Sequence, residues 1–528
     1  MLILENISYI HPNKDLLFQN INLSLQDHQK IALIGNNGVG KSTLLKIIAG
    51  ELQPTDGHIS TDGSLYYVPQ IFGQYNHLSV AQVLKIESKI KALREILAGN
   101  VTEDNFTALE DDWNIEDRCQ QALNYWMLTD IDLDQKLSSL SGGQKTKVFL
   151  AGLNIHQPKL ILLDEPSNQL DSISRSLLYQ YIQTSTCSIV IVSHDRSLLN
   201  QLEFMYEMNA TGLTSYMGDY DFYLEEKKII QDALQSDVKH LEKELRKTKV
   251  NARRTLERQQ KLDARGKAKQ QKEGVSRIMM NTLRNNAEKS TAKLKDIHCE
   301  KSTGLSKELQ SLRKEIPDID KIKFGLTDST LHTGKILYKI NSLKRQIHDK
   351  LLWQEDLNFQ ITSAERIAIK GENGAGKSTL IQILLNNTPK FTGEVYRFPH
   401  ISIYIDQDYS IINNELTIYD QVQQFNDAGL LEHEIKIRLN RFLFGKESWD
   451  KRCRTLSGGE KMRLCLCCLT IRNLAPDMIV MDEPTNNLDI QNIEILTEAI
   501  KMYQGTLLIV SHDDYFLKEI NIQKIIQL

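Results

Sequence analysis

Cysteine is scarce, with seven among 528 residues. An odd number at irregular positions makes no disulfide framework and fits a reducing compartment. Cys465 and Cys468 form a CxxC in "LCLCC", but no second pair or nearby histidine completes a metal set, so they read as small apolar residues. Long hydrophobic runs are missing as well. No stretch approaches the roughly 18 apolar residues that mark a membrane helix. The opening "MLILENISYIHPNKD" lacks the basic start and apolar run of a secretory leader. No membrane contact and a cytoplasmic location are the expectations. Net charge is only −4, yet this average hides a segment short of acidic residues. From Lys239 to Lys301 there are 19 basic and 8 acidic residues, a local charge of +11. A basic segment between acidic flanks points to a polyanionic partner for that segment alone.

What is there is written twice. "KIALIGNNGVGKSTLLKIIAG" (30–50) returns as "RIAIKGENGAGKSTLIQILLN" (366–386). "LSSLSGGQKTKVFLAGL" (137–153) returns as "CRTLSGGEKMRLCLCCL" (453–469), and "PKLILLDEPSNQLD" (158–171) as "PDMIVMDEPTNNLD" (476–489). The aspartate of "LLDEP" precedes a later histidine by 30 residues in both copies, 164 to 194 and 482 to 512. From the first motif's lysine to the second motif's serine the distance is 100 residues, then 80, so the first copy carries about 20 extra. Two homologous domains are expected, 1–222 and 331–528, around a linker at 223–330. Short apolar runs such as "LILLDEP" and "IVIVSH" have the length of buried parallel strands. "KSTLLKIIAG" has helical spacing after a glycine-rich turn. Each half is therefore an α/β domain.

GxxxxGK[ST] between a strand and a helix is a P-loop. Its candidate phosphate contacts run through Gly35, Asn36, Asn37, Gly38, Val39, Gly40, Lys41, Ser42 and Thr43. The second set is Gly371, Glu372, Asn373, Gly374, Ala375, Gly376, Lys377, Ser378 and Thr379. The glycines let consecutive N–H groups face phosphate oxygens, and the helix start adds its positive end. Each lysine should reach the β- and γ-phosphates of ATP, and Ser42 and Ser378 should ligate Mg²⁺. Asp164–Glu165 and Asp482–Glu483 end apolar strands. The aspartate can hold Mg²⁺ through water, and the glutamate can act as general base toward the attacking water. His194 and His512, at their shared spacing, are candidate γ-phosphate contacts.

"LSGGQ" and "LSGGE" carry a resemblance to the ATP-binding-cassette ATPases. That family's signature serine and glycines bind the γ-phosphate of ATP held by the opposite domain. The resemblance implies that Ser457, Gly458, Gly459 and Glu460 complete the Lys41 site, and Ser141, Gly142, Gly143 and Gln144 the Lys377 site. Gln70 in "YYVPQ" and Gln407 in "IYIDQD" match the family's Q-loop glutamine, a further metal contact. The family also stacks an aromatic on adenine ahead of the P-loop. Tyr9 and His11 both fit in the first domain, and no residue of "ILYKINSLKRQIHDKLLW" is a clean match in the second.

Two cassettes in one chain, no membrane segment and a charged connector resemble the ABC-F proteins, as does "YMGDYDFYLEEKK" (216–228). What this implies is a monomeric ATPase with intramolecular cassette pairing and no separate transporter subunit. The ribosome would be its partner, with ribosomal RNA and tRNA met by the linker near the peptidyl-transferase region, in translation or antibiotic resistance by ribosome protection. In some relatives the region equivalent to 71–139, which here holds "AQVLKIESKIKALREIL", carries an extra ribosome-contacting arm. The connector itself is rich in helix formers and lacks proline over residues 221–262. Leu234, Val238, Leu241 and Leu245 make one apolar stripe, and a second run covers 287–316. Two such helices bury their stripes as an antiparallel hairpin, with a tip near 264–286 that holds "ARGKA", Met279 and Met280. An ATPase acting on branched DNA and an orphan transporter subunit are the alternatives. Relatives of the first kind often carry a basic C-terminal coiled coil, whereas this sequence ends at "NIQKIIQL".

Overall fold

The computed structural model describes residues 1–272, 292–293, 296–297, 299–313, 331–347, 350–386 and 390–528. It forms two compact units, Met1–Asp221 with Lys321–Leu528, and Phe222–Asp320.

In the first cassette the central sheet runs Leu65–Val68, Leu160–Asp164, Ser188–Val192, Lys30–Ile34, Phe204–Asn209, Gly212–Met217. The first five strands are parallel and the last is antiparallel. Every residue of "LILLD" and "SIVIV" is buried, as unbroken apolar runs covered on both faces must be. Each such Leu, Ile or Val removed from water contributes about 1.5–3 kcal/mol. A second, antiparallel sheet pairs Leu16–Leu25, Leu2–Ile10 and Asp56–Thr61. The core lies between the two sheets, where Leu2, Leu4, Leu23 and Leu25 meet Leu44, Leu45 and Ile48 of the helix Lys41–Ile48 and Leu162 and Val190 of the central sheet.

The second cassette repeats the plan. Its parallel sheet runs Ser402–Ile405, Met478–Asp482, Thr506–Val510, Arg366–Lys370, Lys524–Gln527. The antiparallel partner sheet is Leu357–Thr362, Ile336–Lys344, Thr392–Arg397. In both cassettes the P-loop, the acidic pair and the histidine leave neighbouring parallel strands at their carboxyl ends, where open α/β sheets bind ligands. The surplus of the first cassette forms helices Glu87–Leu97 and Glu103–Leu109, whose Ile90, Leu93 and Leu109 are buried. The second passes from Ile418–Gln423 to Glu432–Arg441 without them.

In the other unit, the helix Tyr220–Lys272 and helical residues 299–313 lie side by side. Arg313 pairs with Glu242 at 2.5 Å, and Cys299 and Ser302 line one groove with Thr248, Leu256 and Gln260. Higher numbers on one helix thus face lower numbers on the other, so the two are antiparallel. Val238 of the stripe and Leu309 of the second run are buried. The long helix continues through Ala264–Ala268, where the sequence suggested a turn. Gly266 costs only about 1 kcal/mol in a helix, and its neighbours are strong helix formers. The rest of the expected tip, with Met279 and Met280, lies outside the described residues.

Candidate functional site

Each P-loop turns into its helix at a glycine with left-handed backbone. Gly40 has φ 105°, and a Cβ there would stand 2.7 Å from the Phe18 ring; Gly376 has φ 90°, with Leu352 at 2.6 Å. Only glycine satisfies both constraints. The loop carbonyls hold the lysine: Lys41 Nζ donates to Gly35 O at 2.6 Å and Asn36 O at 3.1 Å. Lys377 Nζ does the same to Gly371 O at 2.8 Å and Glu372 O at 3.1 Å. Burial pushes both ammonium groups down from the ordinary lysine value.

The next residue meets the acidic pair. Ser42 Oγ donates to Asp164 Oδ1 at 3.1 Å, and Ser378 Oγ to Asp482 Oδ2 at 2.8 Å. Tyr67 and Tyr404, at matching strand positions, donate to the same aspartates at 3.4 and 3.3 Å. Burial raises both aspartates, and these hydrogen bonds oppose it. One hydroxyl and one carboxylate are hard oxygen donors. They fit Mg²⁺, which takes one or two protein ligands and completes its shell with phosphates and water.

Glu165 and Glu483 stand in left-handed backbone, φ 50° and 47°. Their N–H groups donate to Val192 O and Val510 O, both at 2.8 Å. That conformation costs a non-glycine residue roughly 1–2 kcal/mol, a strain of the kind that gathers at functional sites. It aims each carboxylate at its histidine: His194 Nε2 lies 3.4 Å from Glu165 Oε1, and His512 Nε2 lies 3.5 Å from Glu483 Oε1. Burial pushes the Glu165 carboxyl up against the pull of Lys41, and raises Glu483 to about 7. Burial also holds His194 well below its ordinary value and His512 down to about 4, so both rings are neutral near pH 7. A carboxylate tuned near neutrality can take a proton from water, and a neutral imidazole can bridge to a phosphate oxygen.

A cavity of about 370 Å³ surrounds the first set, lined by His11, Leu17, Gln70, Lys41, Glu165 and His194 among others. Tyr9 packs instead on the core, 6.2 Å from the Phe18 ring. The two alternatives are thus separated by position: His11 faces the cavity and Tyr9 does not line it. Gln407, by contrast, is exposed beyond the strand Ser402–Ile405.

The two cassettes meet across these sites. Asn37 N–H donates to Asp489 Oδ2 at 3.0 Å, and Asn487 lines the first cavity. Reciprocally, Asn373 Nδ2 donates to Gln169 O at 3.0 Å, and a Cβ on Gly143 would stand 3.0 Å from Asn373. Each P-loop asparagine therefore faces the segment after the acidic pair of the opposite cassette. The signature serines are engaged locally. Ser141 and Ser457 each cap their helix in a reciprocal capping box, with Gln144 and Glu460. Gly142 packs against Gln169, and Gly458 and Gly459 lie against Asn487 and Asn492 of their own cassette. The lining given for the first cavity includes Asn487 and no signature residue, while Gly143 stands against Asn373 of the opposite P-loop. The sequence reading missed the segments holding Gln169 and Asn487 as interface residues, although "SNQLD" and "TNNLD" repeat in register. Cys465, Cys467 and Cys468 are buried in the helix Gly458–Ile471, as small apolar residues would be.

Among the described residues no helix is long and apolar enough to cross a membrane. The family described as "ABC transporter" matches residues 18–168 and 354–486, one stretch in each cassette. YdiF of Bacillus subtilis is 30% identical over 96% of this chain and 77% of its own length. The ATP-binding protein Uup of Haemophilus influenzae is 30% identical over 95% of this chain and 75% of its own. ABC transporter F family member 5 of Arabidopsis thaliana is 28% identical over 98% and 73%. In fold, the chain resembles one in the crystal structure of the archaeal ribosomal stalk protein aP1 with ribosome recycling factor aABCE1. There the TM-score is 0.59 at 18% identity, over 99% of this chain and 87% of that one. Paired cassettes, each with a P-loop, an acidic pair and a signature helix, together with relatives matched over nearly all of this chain, place it in the ABC-F family of tandem-cassette ATPases.

Proposed function

We propose that this ATPase works on the ribosome, with the basic helical unit meeting RNA phosphates while the cassettes bind and hydrolyse ATP. The observation that carries the reading is the +11 segment, Lys239 to Lys301, joined to two cassettes that both keep a full hydrolytic set. Lysine and arginine on a helix neutralise phosphates with little sequence readout. A protein of the same fold is named a ribosome recycling factor, which makes the ribosome the first polyanion to test.

In each site Lys41 or Lys377 and the loop amides bind the ATP phosphates. His11 stacks on the base in the first. Ser42 with Asp164, and Ser378 with Asp482, hold Mg²⁺, with Gln70 and Gln407 as further contacts. The ion supplies positive charge against the phosphate oxygens. Glu165 and Glu483 orient and deprotonate water, and His194 and His512 contact the γ-phosphate. Closure of the cassettes would bring Ser457 or Ser141 to the opposite nucleotide. The linker would act near tRNA and the peptidyl-transferase region, in translation or in ribosome protection against antibiotics, inside the cytoplasm. ATPase activity measured with ribosomes, branched DNA or neither tests this. Ribosome stimulation that falls steeply with salt is expected; stimulation by branched DNA alone contradicts it.

A further inference from the structure

The two sites are not clasped alike. Arg175 sits in the first turn of the helix Ser172–Thr184, whose N-cap is Asp171. Its Nε donates to Ser167 O at 3.1 Å and Leu170 O at 3.2 Å, both in its own cassette. One terminal nitrogen of the same guanidinium crosses to the second cassette and donates to His512 O at 3.1 Å. That nitrogen also lies 4.0 Å from Asp195 Oδ2, next to His194. The side chain is 12% exposed. A single planar cation therefore ties the first cassette's interface segment to the backbone of the second cassette's histidine. A rigid fork suits this task, since one edge anchors locally while the other reaches across.

The reverse contact cannot form. The acidic pair and histidine of the two copies are related by a constant offset, Glu165 to Glu483 and His194 to His512, and the same offset takes Arg175 to Ile493. Ile493 is buried and has no side-chain donor. The first site is held instead through Asp489 and the Asn37 amide.

We propose that Arg175 is a positioning residue for the second site, acting in trans from the first cassette on the His512 segment. The proposal rests on reading Glu483 and His512 as that site's hydrolytic pair. Hydrolysis at the second site is then coupled directly to docking of the first cassette, whereas the first site lacks this arginine. Charged groups gather around the same segment. His512 is faced by Lys377, Arg175 and Lys370, and by Asp171 with opposite sign.

ATPase is measured with one site silenced at a time, by Glu165→Gln or Glu483→Gln. With only the second site active, Arg175→Ile should lower kcat about ten-fold, the worth of one charge-assisted hydrogen bond. KM for ATP should change less than about two-fold, because the contact orients the hydrolytic segment without binding nucleotide. Arg175→Lys should lose kcat at least about three-fold, since an ammonium lacks the fork. With only the first site active, Arg175→Ile should cost far less. Equal losses at both sites, or a KM rise that accounts for the loss at the second site, would overturn the proposal. If the isoleucine variant does not fold, the lysine variant decides: full activity at the second site overturns it. If Glu165→Gln with Glu483→Gln retains the ATPase of Glu165→Gln alone, the reading of Glu483 fails, and Arg175 is not at issue.

Discussion

Glu483 carries a stability cost that can be read directly. Burial moves its carboxyl from an ordinary 4.5 to about 7 in the folded protein. Below both values the group is protonated folded or unfolded, and it contributes nothing. Between them the unfolded chain releases the proton while the folded one keeps it, so stability falls as pH rises. Above the folded value the full penalty applies, about 3 kcal/mol by linkage. Glutamine has the same shape and no charge to desolvate. Glu483→Gln should therefore stabilise the nucleotide-free protein by up to about 3 kcal/mol near pH 8.5 and by less than about 1 kcal/mol near pH 5. Thermal unfolding of both proteins at the two pH values reads this as a Tm gap of several degrees on the alkaline side that closes on the acid side. A gap of equal size at both pH values would refute the reasoning, because only ionisation of that carboxyl distinguishes the two conditions.

Two further outcomes follow from the geometry. His11→Ala should raise KM for ATP at the first site, by roughly the 0.5–1.5 kcal/mol of an aromatic contact, while Tyr9→Ala should lower Tm and leave KM nearly unchanged. Activity of Glu483→Gln protein carrying either substitution separates the two. Glu519→Ala removes the partner of Arg196, which is 2% exposed and spans the cassettes at 2.5 Å. Tyr515 beneath the guanidinium remains, and Glu519 is about a third exposed, so the loss is about 2 kcal/mol rather than the 3–5 kcal/mol of a fully buried pair. Thermal unfolding at neutral pH measures it, and an unchanged Tm would contradict the buried pair.

Much of the site was legible because its chemistry is local. "LILLDEP" gives a buried strand and the two carboxylates at its end, and "GNNGVGKST" fixes the loop by its glycines. The cassette contacts were not legible. Arg175 and His512, or Asn37 and Asp489, lie more than 300 residues apart and leave no periodic trace in the sequence. The left-handed backbone of Glu165 has no propensity signal, since glutamate does not favour it; the neighbouring strand imposes it through Val192. The end of the long helix is hard to place from sequence for a simpler reason. One glycine among alanine, lysine and glutamine is a weak breaker.

The proposed ribosomal function implies that paired cassettes with bound ATP would hold this protein on the ribosome until hydrolysis releases it. Cosedimentation of Glu165→Gln with Glu483→Gln tests it most directly. The account predicts that the doubly substituted protein pellets with ribosomes in the presence of ATP and Mg²⁺, and stays in the supernatant without nucleotide. Protein that remains free of ribosomes with ATP bound would contradict it.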